Sequence, residues 1–168
     1  WDTSKVEDMS GMFLHASNFD GDISKWDVSS VNTMSATFGY AKSFSGELSK
    51  WDVSRVVKMS AMFWRASAFN GDISKWDVSS VTLMEKMFLS AISFNSDVSK
   101  WDVSKVKKMD YMFWQATSFE HQLCRAPWVK SKASKSNMFT GSAGSLVWRK
   151  NCLAAFAHRG ALKRAVVE

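Results

Sequence analysis

The three histidines are the side chains of this 168-residue chain best suited to acid–base chemistry. None of them recurs at a repeat position together with a Ser, Cys or carboxylate in a triad-like setting. No phosphate-binding loop and no dinucleotide fingerprint is present. His15 occupies a position that changes from one repeat unit to the next, which indicates a variable surface site; the later residues there are Tyr40, Arg65, Ser90 and Gln115. We therefore expect neither an enzyme nor a cofactor-binding protein.

Carboxylate pairs beside glycine offer a second kind of chemistry. Asp20-Gly21-Asp22 and Asn70-Gly71-Asp72 resemble part of a calcium-binding repeat. The equivalent positions read Ser45-Gly46-Glu47 and Glu120-His121-Gln122, which lack the paired oxygen ligands. The two cysteines have no further Cys or His at metal-ligand spacing. We therefore expect no metal site.

The positive charge is concentrated at one end of the chain. The formal net charge is +6, yet residues 128–168 hold eight basic residues and one acidic residue, which leaves residues 1–127 at −1. The basic residues are Lys130, Lys132, Lys135, Arg149, Lys150, Arg159, Lys163 and Arg164. We expect this tail to lack exposed aromatic rings that could stack on bases, which argues against nucleic-acid binding. Polyanion binding by the tail stays a weaker alternative.

A strict repeat organises the rest. Tryptophan recurs at a constant spacing, at Trp1, Trp26, Trp51, Trp76 and Trp101. A fixed period of this length predicts a solenoid in which each unit forms one coil and covers its neighbour. Residues 1–125 would then form five coils, with equivalent residues about 4.8 Å apart and the Trp and Phe side chains stacked in columns.

Each unit predicts one short helix and one short strand. The helix is indicated by apolar residues at helical spacing, with a preceding Ser as its N-cap; in the first unit they are Val6, Met9, Met12, Phe13 and Ala16. A turn at Asp20-Gly21 separates the helix from an extended segment. The predicted fold class is thus a leucine-rich-repeat-like solenoid, with a parallel strand per coil near Ile23, Leu48, Ile73, Val98 and Leu123.

The unit Trp-Asp-Val-Ser-x-Val-x-x-Met-x-x-Met-Phe-x-x-Ala-x-x-Phe resembles the BspA-like surface-protein repeat. That repeat is a leucine-rich-repeat relative found in mycoplasma lipoproteins, protists and microalgae. The resemblance covers residues 1–125. It implies a solenoid used for protein contact or adhesion, usually at a surface and without known enzyme chemistry. It offers no functional residue that could be transferred to this chain.

The register slips after Leu123. Trp128 lies one position closer to Phe139 than Trp101 lies to Phe113, so we expect residues 126–145 to form a degenerate capping coil. This segment resembles the terminal part of algal members of the family, which implies a disulfide between Cys124 and Cys152. Such a bond would stabilise the fold by roughly 3–4 kcal/mol and would need an oxidising compartment. Two buried thiols are the alternative.

Residues 146–168 predict a basic amphipathic helix. Trp148, Cys152 and Phe156 follow one another at four-residue spacing, and the basic residues lie mostly elsewhere. The helix would either cap the last coil or dock onto a protein partner or an anionic membrane surface.

The variable positions indicate where a partner would bind. Trp64 and Trp114 are additional to the repeat, and two such rings would make a hot-spot pair beside Tyr40 and Arg65. We therefore expect a non-enzymatic protein-interaction or adhesion module in a secreted, cell-surface or organelle-lumenal setting. The alternative is an accessory structural subunit of a large assembly, such as an organellar membrane complex of an alga, docked through Arg149, Lys150, Arg159, Lys163 and Arg164.

Overall fold

The structure is a computed structural model that describes residues 2–147. Its regular elements all lie near the end of that range: strand β1 spans Gln122–Leu123, helix α1 spans Ala126–Val129 and strand β2 spans Ser145–Leu146. The two strands pair in parallel, with Gln122 opposite Ser145 and Leu123 opposite Leu146. Turns, single bridges and irregular segments make up the remainder of the described residues. No helix within residues 2–147 is long and apolar enough to cross a membrane.

Single parallel bridges join equivalent residues of successive units, and so the units lie one upon another. The bridges run Asp8–Thr33–Lys58–Leu83–Lys108–Ser134. The first four steps are equal in length and the last is longer by one, which places a one-residue insertion before the final layer. We call these layers coils 1 to 6, each beginning at residue 1, 26, 51, 76, 101 or 126.

Alternate backbone N–H groups hold each coil to the next. Met9 donates to the Thr33 carbonyl at 3.0 Å and His15 donates to the Gly39 carbonyl at 2.8 Å, with Gly11 and Phe13 donating in the same way between them. The pattern recurs up to the bond from Gln115 to the Thr140 carbonyl at 2.8 Å. These bonds satisfy backbone groups that would be costly to bury unpaired.

The helix predicted in each unit does not form in any of coils 1 to 5, because the chain turns left-handed twice within that segment. The N–H groups of Met12 and Ala16 donate to carbonyls three residues earlier, and each turn contains a residue with positive φ. The left-handed residues are Gly11, His15, Ala36, Tyr40, Ala61, Arg65, Lys86, Ser90, Tyr111, Gln115, Asn137 and Gly141. Successive short turns bury the same spacing of apolar side chains as a helix, and so the sequence pattern does not distinguish the two.

Two further local predictions need correction. The strands expected near Ile23, Leu48, Ile73 and Val98 do not form, and only Leu123 lies in one, as part of β1. The serines expected as helix N-caps instead donate to an aspartate two residues earlier; the Ser29 N–H lies 3.0 Å from Asp27 Oδ1. Hydrogen bonds from the Ser29 hydroxyl and N–H lower the pKa of Asp27. The local turn is therefore closed by a carboxylate.

The core consists of stacked rings, which confirms the expected columns of Phe side chains. One column has neighbouring ring centroids 5.4–5.6 Å apart and contains Phe13, Phe38, Phe63, Phe88, Phe113 and Phe139. A second column packs against it at 3.8–4.2 Å and contains Phe19, Phe44, Phe69, Phe94 and Phe119. Each inner ring therefore has copies of itself above and below, which explains why these positions repeat.

The repeated tryptophans add a hydrogen bond to this packing. The indole Nε1 of Trp101 donates to the Ile73 carbonyl at 3.1 Å, and Trp51 and Trp76 make the same bond to Ile23 and Leu48. Trp128 donates to the Val98 carbonyl at 3.2 Å, so the sixth coil continues the pattern despite its shifted register. Tryptophan at this position both fills the core and satisfies a carbonyl of the preceding coil.

Candidate functional site

The candidate site is a strip of side chains on the second turn of each coil. It contains the residue pairs Leu14-His15, Gly39-Tyr40, Trp64-Arg65, Leu89-Ser90 and Trp114-Gln115, and we call it the turn strip. The second residue of each pair is left-handed. Its N–H donates to the carbonyl of the first residue in the next pair, as from Tyr40 to Trp64 at 2.6 Å and from Arg65 to Leu89 at 2.8 Å. Neighbouring pairs are therefore held side by side by backbone bonds, whatever their side chains are.

Four strip side chains form one aromatic cluster. The Tyr40 ring stacks on His15 with centroids 4.6 Å apart and meets Trp64 edge-on, also at 4.6 Å. The guanidinium carbon of Arg65 lies 5.3 Å from the centre of the Tyr40 ring, within cation–π distance. The sequence predicted Tyr40, Trp64 and Arg65 as candidate partner-binding residues and His15 as a variable surface site at the equivalent position. It did not predict that the His15 and Tyr40 rings stack.

Trp64 lies half-buried within this cluster. Its indole Nε1 is buried and has no hydrogen-bond partner among residues 2–147, unlike the indoles of the core tryptophans. An unpaired buried N–H costs roughly 1–3 kcal/mol. Trp64 therefore carries a cost that the repeat itself does not demand.

Two glycines leave room for the side chain of a strip residue in the adjacent coil. A Cβ added to Gly39 would lie 2.7 Å from Leu14 Cδ1, so Leu14 fills the space that a side chain on Gly39 would need. Gly141 likewise leaves room for the Gln115 side chain, which ends the strip against coil 6. A glycine in the strip thus indicates a large neighbour.

Trp114 does not join the cluster. It is half-buried in coil 5, with Leu89 of coil 4 between it and Trp64, and within residues 2–147 it makes no contact with another aromatic ring. The two tryptophans predicted as a hot-spot pair are therefore separate. Trp64 lies in the cluster with Tyr40 and Arg65, and Trp114 lies apart from it.

The remaining predicted site residues lie outside the described residues. These are Arg149, Lys150, Arg159, Lys163 and Arg164 of the tail, and Cys152 of the expected disulfide. Cys124 is 7% exposed in coil 5. The bond between Cys124 and Cys152, and the docking role of the tail, stay predictions.

The chemistry available to the turn strip is that of contact. It offers aromatic faces, one guanidinium and the hydroxyl, amide and imidazole groups of its left-handed residues. Within residues 2–147 no three His, Cys, Asp or Glu side chains are grouped so that they could hold a metal ion. The strip is suited to binding through packing and cation–π contacts.

The chain matches a known protein family over most of its length. The family described as "Mycoplasma protein of unknown function, DUF285" matches residues 1–74 and, in a second overlapping stretch, residues 46–146. Together the two matches cover all six coils up to β2. No curated protein and no solved structure matches the chain.

Proposed function

The chain belongs to the mycoplasma family of unknown function DUF285, which is the BspA-like repeat family, and from this premise we propose that it is a non-enzymatic protein-interaction or adhesion module. We propose further that its fold is a leucine-rich-repeat-like solenoid. The parallel bridges between equivalent residues of successive units and the continuous Phe columns support that fold.

The turn strip is the proposed binding surface. The observation that carries this assignment is the cluster of His15, Tyr40, Trp64 and Arg65, which is only partly buried although every ring has a neighbour. Aromatic and arginine side chains dominate protein–protein hot spots, because they give a large contact area and lose little freedom on binding. Backbone bonds already fix the strip, so a partner would meet an ordered surface.

Site-specific photo-crosslinking tests this assignment. A photoreactive residue at Arg65 should crosslink to the bound partner, whereas one at Lys75, which is exposed outside the strip, should not. Replacing Trp64 and Trp114 with Ser should weaken partner binding about tenfold or more, which is about 1.4 kcal/mol. Equal crosslinking from both positions, or unchanged affinity in the double variant, would reject the strip as the binding surface.

The accessory-subunit alternative predicts a different outcome in the same assay. It depends on the positive charge of the basic C-terminal tail and not on the side chains of the turn strip. Replacing Arg149, Lys150, Arg159, Lys163 and Arg164 with Ser would then release the partner, while the strip variants would retain it. The tail variant is thus the matched control for the strip variant, and the reverse is also true.

The proposed disulfide bears on location. A Cys124–Cys152 bond would fit a secreted, cell-surface or lumenal protein, because such bonds persist in oxidising compartments. Intact-mass measurement with and without reductant, on protein alkylated as it leaves its native compartment, tests the bond. Two alkylatable thiols would reject both the bond and the location inferred from it.

A further inference from the structure

The charges of the repeats balance in sum but are separated in space. The fifth, seventh and eighth residues of each coil form a row on the surface, which we call the bridge strip because it contains the residues joined by the parallel bridges. In coils 1 to 5 it consists of Lys5, Glu7, Asp8, Ser30, Asn32, Thr33, Arg55, Val57, Lys58, Ser80, Thr82, Leu83, Lys105, Lys107 and Lys108. The acidic members lie in coil 1 only. Coils 3 and 5 are therefore positively charged along this strip, although residues 1–127 carry a net charge of −1.

Backbone hydrogen bonds hold the bridge strip in line along the stack. The Lys107 N–H donates to the Thr82 carbonyl at 2.8 Å, and Thr82 and Val57 donate in the same way to the coil before them. Strands paired in this way lie about 4.8 Å apart, which places the cations of coils 3 and 5 about 10 Å from one another. The hydroxyl-bearing residues Ser80 and Thr82 of coil 4 lie between them. The strip is thus an ordered row of positive charge interrupted by hydroxyl groups.

The cations of the strip are exposed and not neutralised by ion pairs. None of them pairs with an acidic side chain among residues 2–147; they are Arg55, Lys58, Lys105, Lys107 and Lys108. The neighbouring carboxylates accept hydrogen bonds from serines instead. Asp102 Oδ1 lies 3.0 Å from the Ser104 N–H, and Asp110 Oδ1 lies 2.7 Å from the Ser136 N–H. The positive charge therefore remains available to a ligand.

Coil 6 extends this positive charge. A parallel bridge joins it to coil 5 as in the earlier layers. The Lys135 ammonium donates to the carbonyls of Ser131 and Ala133 at 2.7 and 3.0 Å, which fixes its position. Lys130 and Lys132 are exposed in the same coil. The charged stretch runs from coil 3 to coil 6, about 14 Å at a spacing of about 4.8 Å.

The surroundings of the strip favour a narrow polyanion. Along the coils, one row of carboxylates precedes the strip and another follows it, and an anionic membrane would bring its lipids against both. The carboxylates are Asp52, Asp77 and Asp102 before the strip and Glu85 and Asp110 after it.

Nucleic acids and acidic peptides fit the strip less well. The strip has no aromatic ring on which bases could stack, and α1, the only helix among residues 2–147, has four residues and is too short to read a major groove. An acidic peptide would find no free sheet edge, because the backbone of the strip is bonded between coils.

We propose that the bridge strip, from coil 3 to coil 6, binds a linear sulfated polysaccharide. The sulfates pair with the ammonium and guanidinium groups through charge-assisted hydrogen bonds, and the hydroxyls of Ser80 and Thr82 bond to the sugar chain between them. The site shares no residue with the turn strip, so it is independent of the function proposed above. Because the cations are exposed, binding weakens as the salt concentration rises.

Fluorescence anisotropy of a labelled heparin oligosaccharide, titrated with the full chain, tests the proposal. A bridge-strip variant carries Lys105→Gln, Lys107→Gln and Lys108→Gln, and we expect it to bind heparin about tenfold or more weakly than the wild type at low salt. Arg55→Gln with Lys58→Gln should weaken binding about threefold or more, because the bound chain reaches coil 3. An unchanged affinity in either variant would overturn the proposal.

A matched control removes the same charge elsewhere. It carries Lys50→Gln, Lys75→Gln and Lys100→Gln, which are exposed residues that each lie between two acidic positions of the sequence. We expect its affinity for heparin to fall by less than about twofold. Equal losses in this control and in the bridge-strip variant would mean that heparin responds only to net charge, and would overturn the proposal. Near-UV circular dichroism checks that the rings stay packed in every variant.

Other probes distinguish the ligand and the site. Desulfated heparin should bind about tenfold or more weakly than heparin, because it lacks the sulfates. Duplex DNA or phosphatidylserine vesicles that bind as tightly as heparin would overturn the assignment to a sulfated polysaccharide. The tail variant described above should retain the difference between an intact and a substituted bridge strip. Loss of that difference would assign heparin binding to the tail and overturn the proposal.

Discussion

The Phe columns and the turn strip lie in the same coils, but their side chains differ in how far they can vary from coil to coil. A ring in a column, such as Phe63, has a copy of itself on each side, and any change would disturb three coils at once. A strip residue such as Arg65 is joined to the next coil through its backbone N–H, so its side chain can vary without breaking the stack. The difference separates residues that build the fold from residues available for function, and variation between the coils of one chain is what reveals it.

The largest expected effect is the loss of a core ring. Replacing Trp101 with Ala removes a side chain that is 1% exposed and leaves the Ile73 carbonyl without its indole donor. We expect the free energy of unfolding to fall by about 3–5 kcal/mol, as for other large-to-small core changes. Urea denaturation measures it. A cost below about 1 kcal/mol would mean that neighbouring rings close the gap and that the columns are not a fixed core.

The second expected effect comes from the aspartates that close the turns. Hydrogen bonds from the hydroxyl and N–H of a serine two residues on lower the pKa of Asp2, Asp8, Asp22, Asp27, Asp72 and Asp77. A lowered folded-state pKa stabilises the fold above the unfolded value of about 3.9 and loses that contribution as the pH falls through the folded value. The urea midpoint should therefore be constant from about pH 7 to 5 and fall towards pH 2.

A matched variant isolates this effect. Asp77→Asn keeps an oxygen that can accept from Ser79 and removes the charge, so the fall in midpoint below about pH 4 should become shallower. If the urea midpoint of the variant falls at acid pH as steeply as that of the wild type, Asp77 does not contribute to this pH dependence. A midpoint that stays level down to pH 2 in the wild type would contradict the role of the whole group.

A smaller effect is expected where the backbone is left-handed. Ala61 has φ of 55°, and a β-branched side chain is strained in that region. Ala61→Val should therefore destabilise the protein by about 1–2 kcal/mol. Ala68→Val, at an exposed position outside the left-handed set, should cost less than about 0.5 kcal/mol. Equal effects of the two variants in thermal melts would show that coil 3 adjusts its turn at little cost.

The sequence predicted some features of this molecule well and others poorly, for identifiable reasons. The repeat period and the Phe columns were predictable because both follow from identical residues at fixed spacing. The helices were wrong because residues such as Ala36, Lys86 and Tyr111 are left-handed, and none of them is the glycine that would signal it. The backbone bonds to the next coil stabilise that conformation, and no local propensity records them.

The turn strip, like the fold, was predictable from the sequence only in part. Variation between coils identified Tyr40, Trp64 and Arg65 as strip residues, because a position that tolerates both Gly39 and Trp64 cannot be a fixed core slot. It could not show that Tyr40 contacts Trp64 while Trp114 stands apart, because contacts between coils depend on which large side chains happen to be adjacent. The unpaired indole of Trp64 is likewise invisible without the structure.

The finest test of the comparison replaces tryptophan with phenylalanine in each region. In Trp101→Phe the ring largely remains but the 3.1 Å bond to the Ile73 carbonyl is lost, which should destabilise the protein by about 1–3 kcal/mol. In Trp64→Phe the buried N–H that disappears had no partner, so removing it offsets the loss of contact area. We expect the free energy of unfolding of that variant to lie within about 0.5 kcal/mol of the wild-type value, or to be slightly higher.

Urea denaturation of both variants decides between two accounts of Trp64. A loss at Trp64 as large as that at Trp101 would mean that its indole is bonded in solution and that the strip is part of the core. Opposite responses to the same chemical change would show that the fold depends on one tryptophan and merely tolerates the other.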